Sequence, residues 1–99
     1  MVLALGVLIS LTGCVTHPDA KKRFAYACPD GYQFIVVYSG GGGSVRFEDA
    51  DRKLKLNQVE AASGTRYSDG NFVFWARGLN ALIQEDGETL HKDCTGDNI

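Results

Sequence analysis

Two turns within residues 62–78, ASGTRYSDGNFVFWARG, hold side chains that folding does not require. Ser63-Gly64 sets a hydroxyl beside a glycine, and Arg77-Gly78 sets a permanent cation beside another. Taken singly, each explains itself. A serine makes a local hydrogen bond in a turn, and glycine supplies the positive φ of a hairpin. Side by side they would act differently. A guanidinium offers a planar fork of donors and a hydroxyl both donates and accepts, so together they form a receptor for carboxylates. The rest of the chain offers less. The glycines at 40–43 lack the Lys-Ser/Thr that completes a phosphate loop. Asp49-Ala50-Asp51 lacks the frame of a calcium loop and reads as a polar turn. A Ser-His-Asp triad needs a histidine base, but His17 lies in an N-terminal linker and His91 has no acid at a suggestive spacing. Two distant cysteines and two isolated histidines give no metal-ligand spacing. The expectation is a protein that is not an enzyme, with no metal, no cofactor and no small-molecule substrate.

The positioning elements read as strands. Tyr32 to Tyr38 is β-branched and aromatic, and Lys53-Leu54-Lys55-Leu56 alternates with its leucines inward. Shorter strands are expected at 24–28, 45–47, 66–67, 72–75, 79–84 and 88–92, with Cys94 closing the set. Pro29-Asp30-Gly31, Asp69-Gly70 and Asp86-Gly87 are turns between them. No segment keeps a 3.6-residue period, although a helical turn within 54–62 is conceivable. The prediction is an all-β chain: a small antiparallel barrel of about eight short strands, closed so that no edge is exposed. An open sandwich is the alternative. Phe72-Val73-Phe74-Trp75 is apolar on both faces, so something beyond the barrel core must cover one of them. In an antiparallel meander, the loop before one strand and the loop after the next share a rim. Ser63-Gly64 precedes the Arg66-Tyr67 strand and Arg77-Gly78 follows the next, so the two turns are expected side by side.

The 99-residue chain is one domain with a net charge of −2, which argues against a nucleic-acid partner. Residues 2–13 are apolar or small and uncharged, too short for a bilayer span of about 20 residues but suited to a secretory signal. Leu11-Thr12-Gly13-Cys14 resembles a bacterial lipobox. That resemblance implies a signal peptide at 1–13, lipidation of Cys14, and a tether over 14–23 leading to a domain at 24–99. Val15, not Asp, after the cysteine implies the outer membrane. Cys28 and Cys94 then remain as an even pair in an exported protein, and a bridge between them would stabilise a small core by roughly 4 kcal/mol.

Ala62-Ser63-Gly64-Thr65-Arg66-Tyr67, the spacing to Phe74-Trp75-Ala76-Arg77-Gly78, and Ala81-Leu82 beyond it resemble the membrane-bound inhibitors of c-type lysozyme, lipoproteins of Gram-negative bacteria. Tyr26-Ala27-Cys28-Pro29-Asp30-Gly31, Cys94 and the lipobox fit the same pattern. The resemblance implies an eight-stranded antiparallel barrel that plugs the lysozyme cleft, anchored on the periplasmic face of the outer membrane. It implies that Ser63 and Arg77 reach the enzyme's catalytic carboxylates, that Tyr67, Gly64 and Gly78 support these turns, and that Cys28 and Cys94 form the disulfide. Arg77 stands where the family usually has lysine: the charge is kept, on a longer and planar group. The competing reading is a structural envelope lipoprotein with the same barrel and no inhibitory activity.

Overall fold

The computed structural model describes residues 22–99. The expected signal segment at 1–13, Cys14 and the expected tether up to residue 21 lie outside the described residues. The eight strands are β1 (Lys22–Ala27), β2 (Gln33–Tyr38), β3 (Ser44–Glu48), β4 (Lys53–Val59), β5 (Thr65–Ser68), β6 (Phe72–Arg77), β7 (Asn80–Glu85) and β8 (Glu88–Asn98). Each pairs antiparallel with the next, and β8 returns to β1, closing the barrel.

Alternation builds the core. Tyr26, Phe34, Val36, Val45, Phe47, Leu56, Tyr67, Phe72, Phe74 and Ile83 all point inward and are buried. Their rings meet through the centre: Tyr26 stacks on Phe34 at 4.9 Å, Phe34 on Phe47 at 5.0 Å, and Phe47 meets Phe72 at 4.7 Å in a tilted pair. Ring pairs at these distances add to the area they bury. The interior that a small-ligand carrier would keep empty is filled with aromatic side chains.

Turn chemistry sets the register. Asp86 and Gly87 both have positive φ, the signature of a type I′ hairpin, which Asp-Gly serves well. Asp49 is an Asx turn, its Oδ1 accepting from the N–H groups of Asp51 and Arg52. Most strand ends shift by one or two residues from expectation, and β4 and β8 run further. β1 takes in Lys22 and Arg23 ahead of the expected start at Phe24. The stretch after Leu56 continues as strand to Val59, as Asn57 and Val59 favour over a helical turn. β8 runs on past Cys94 to Asn98, through weak strand formers, because β1 is there to pair with it. Cys28 and Cys94 form the disulfide across this closing seam.

One rim carries a polar network. His91 Nδ1 lies 2.5 Å from Asp30 Oδ2, although 61 residues separate them. The Tyr32 ring stacks on the imidazole at 3.8 Å, and its hydroxyl donates to Asp49 at 2.5 Å. Burial raises the Asp49 carboxyl. The hydrogen bonds from Tyr32 and the Asp51 and Arg52 N–H groups, with the Arg52 charge, outweigh it and hold the group below its ordinary 3.8. Asp30 is lowered by its bonds to His91 and the Tyr32 N–H, and Asp69 by the N–H groups of Phe72 and Asn71. Depressed carboxyls bind fewer protons folded than unfolded. Their stabilisation is therefore present above the ordinary value of 3.8 and lost as pH falls through the lower folded values. Calorimetry should show a melting temperature flat above about pH 5 and falling steeply below about pH 4, with a shallower fall in Asp49→Asn. A flat profile down to about pH 3 would remove these carboxylates from the account.

Candidate functional site

The turns at the two ends of the barrel differ in charge. At one end the β1–β2, β3–β4, β5–β6 and β7–β8 turns carry Asp30, Asp49, Asp51, Asp69 and Asp86, with Glu85 and Glu88 flanking the last, against one cation, Arg52, which pairs with Asp49 and Glu85. At the other end the β2–β3, β4–β5 and β6–β7 turns carry Glu60 alone. Ser63 and Arg77 belong to this second rim.

Strand pairing brings them together. Thr65 pairs with Ala76, so residues 63–64 lie beside residues 77–78. Contact is tight at Gly64, which has φ +70°. A Cβ there would collide with the Ala76 carbonyl oxygen and with Cγ of Arg77. The stem of Arg77 thus lies against the Gly64 backbone. Gly78 has φ +63° while Leu79 has negative φ, the pattern of a type II′ hairpin between Arg77 and Asn80. Ser63, Arg77 and Leu79 are all exposed, Leu79 at 71 %. Among the described residues, the Ser63 hydroxyl has no hydrogen-bond partner and the Arg77 guanidinium no ion-pair partner.

Trp75 fastens the Ser63 turn. Its indole N–H donates to the Ser63 carbonyl oxygen at 2.8 Å. The Arg66 guanidinium lies 5.1 Å from the Trp75 ring on the same outer face. On the outer face of β6, Trp75 is therefore flanked by the Arg66 guanidinium and the β4–β5 turn. Tyr67 is buried, and its hydroxyl donates to the Gly42 carbonyl at 2.7 Å. Its hydrogen bond ties down the β2–β3 glycine loop, which shares the rim. The indole-to-carbonyl bond was not legible in the sequence. The Ser63–Trp75 separation of 12 residues gives no local signal for it.

Gly64→Ala combines a strained φ with a backbone collision, so it is expected to cost roughly 2 kcal/mol or more in urea unfolding. Gly41→Ala on the neighbouring loop meets open space and should be close to neutral. Equal stability of the two variants would mean that the rim is not packed as described.

Fold and rim together define a small closed β-barrel with an exposed serine and an exposed arginine on neighbouring turns of one rim, with no metal-ligand cluster among the described residues. The family described as membrane-bound lysozyme inhibitor of c-type lysozyme matches residues 26–91, and the chain belongs to it. It is a family of inhibitors, not of enzymes. A membrane-bound lysozyme inhibitor of C-type lysozyme from Yersinia enterocolitica is 31% identical over 93 residues, covering 94% of this chain and 79% of the relative. Its counterpart in Escherichia coli K12 is 29% identical over 99 residues, covering 95% and 88%. Pseudomonas aeruginosa MliC, solved in complex with hen egg white lysozyme, superposes with a TM-score of 0.62 at 23% identity, over 96% of this chain and 99% of that one. The structural likeness is one of fold.

Proposed function

We propose that this protein inhibits a c-type lysozyme by seating the β4–β5 and β6–β7 turns in the active-site cleft. The observation that carries the reading is the packing of the Arg77 stem on Gly64, which sets the exposed Ser63 and Arg77 on neighbouring turns of one rim. Lysozyme-type glycosidases work with a protonated glutamic acid and an ionised aspartate. The Arg77 guanidinium pairs with the aspartate and favours ionisation of the acid. The Ser63 hydroxyl donates to one carboxylate and accepts from the other while it is protonated. Tyr67, Gly64 and Gly78 keep the rim in shape, and the bulk of the barrel excludes the sugar. The charge distribution supports this orientation. The acidic rim would meet a carboxylate-lined cleft with repulsion, and the rim holding Arg77 would not. Membrane attachment follows the relatives, which are named membrane-bound. It runs here through a lipid on Cys14, at the periplasmic face of the outer membrane.

The test is titration of the oxidised protein into a c-type lysozyme while following lysis of bacterial cell walls. Inhibition that weakens with rising salt is expected, with an interface of roughly 1,200–2,000 Å² in the complex. A folded protein inactive against a panel of c-type lysozymes would leave the alternative, an envelope lipoprotein that keeps the barrel without inhibiting.

A further inference from the structure

The outer wall of β1–β4 carries a second organised feature. Arg23 pairs with Val37, Val37 with Arg46, and Arg46 with Lys55, so one outward row crosses four strands. At about 4.8 Å per strand step the row spans roughly 14 Å. Lys53 projects from the same face of β4. Arg23, Arg46, Lys53 and Lys55 are all exposed. Glu48 is the single carboxylate on the outward positions of these strands, and it lies 3.8 Å from Arg46. Arg23, Lys53 and Lys55 have no ion-pair partner among the described residues. In a chain of net charge −2, four cations on one wall reflect segregation, not composition. An open groove of about 300 Å³ on this side of the barrel has Val37, Arg46, Lys53 and Lys55 in its lining, with Val45 and Leu54. The row begins on β1, where the chain enters the barrel at Lys22.

We propose that this wall docks on an anionic phospholipid surface, a proposal that rests on the membrane attachment inferred above. Lys and Arg side chains near an anionic leaflet are each worth about a five-fold gain in binding, and a basic face adds a second signal to a lipid anchor. The cations start beside the tether's point of entry, so a short tether brings them to the headgroups first. Docking this way has a consequence for the rim. In a closed ring of eight strands β6 lies across from β2. The wall bearing Trp75 and Arg77 then faces the aqueous phase, and a partner reaches the rim from the side.

The full chain with Cys14→Ala, oxidised, removes the acyl contribution. Its partitioning is compared on phosphatidylcholine vesicles and on vesicles with roughly one phosphatidylglycerol in three, and the ratio reads the electrostatic part. That ratio is expected to fall roughly 25-fold in Arg46→Gln/Lys55→Gln and to stay within about two-fold in Lys92→Gln, an exposed site on β8. Trp75, the sole tryptophan, should remain open to acrylamide quenching on the vesicles. Equal ratios for wild type and the double variant would overturn the proposal, and so would shielding of Trp75, which means another wall docks. The lipidated protein on the same vesicles separates the two readings: if it binds while the Cys14→Ala chain shows no phosphatidylglycerol dependence, the anchor stands and the docking wall does not.

Discussion

Arg77→Ala raises the inhibition constant against a c-type lysozyme by roughly 100-fold or more, with little change in folding stability. The size of the effect comes from what is left behind. In the proposed complex the guanidinium would be desolvated against a carboxylate, and truncation would leave that carboxylate buried without a partner. In the free protein the same guanidinium is exposed and makes no ion pair among the described residues, so its removal costs the fold only the contact of its stem with Gly64. Arg77→Lys keeps the charge and should retain most of the inhibition. Ser63→Ala loses one hydroxyl and should cost about ten-fold. Steady-state inhibition beside thermal melts decides the matter. An Arg77→Ala protein that inhibits like wild type would move the function off this rim. One that melts far lower would show that Arg77 serves the fold.

Removing the disulfide should produce the largest loss of stability. The bridge joins residues separated by 66 positions, and closing so long a loop in the unfolded chain is worth about 4 kcal/mol on the chain-entropy account. For a domain of this size, that corresponds to a fall of about 20 °C in melting temperature. The location adds to the expectation. Seven of the pairings join strands adjacent in sequence, whereas β1–β8 joins the two ends and closes the barrel. Both cysteines are buried, at 7 % and 0 % exposure, so Cys28→Ala/Cys94→Ala avoids burying a new polar group. Thermal melts of this variant, and of wild type in reductant, should agree. A drop of only a few degrees would mean that strand pairing alone closes the seam. Hydrogen exchange should then show β1 and β8 as well protected as the central strands.

The two predictions differ in how far the sequence alone supports them. The strands were legible because alternation is local: Leu54 and Leu56 point one way and Lys53 and Lys55 the other, whatever the rest of the chain does. The Asp-Gly turns were legible for the same reason. Order along a meander then sufficed to place Ser63 and Arg77 on one rim. β8 was legible only as far as Lys92, because residues such as Gly96 and Asp97 have poor strand propensity and adopt the conformation to pair with β1.

Sequence by itself therefore determined an all-β chain of short hairpins, the buried aromatic faces, the candidate bridge and the neighbouring serine and arginine turns. Each of these depends on residues adjacent in the chain or on the order of strands. Tertiary structure alone decided what lies across the barrel or between turns. The Trp75 indole holds the Ser63 carbonyl, and Tyr67 binds the Gly42 loop. Asp30 finds His91, and the cations of β1, β3 and β4 align in one row while the carboxylates gather at the far rim. These contacts join residues 12 to 61 positions apart, and only closure and register bring them within reach.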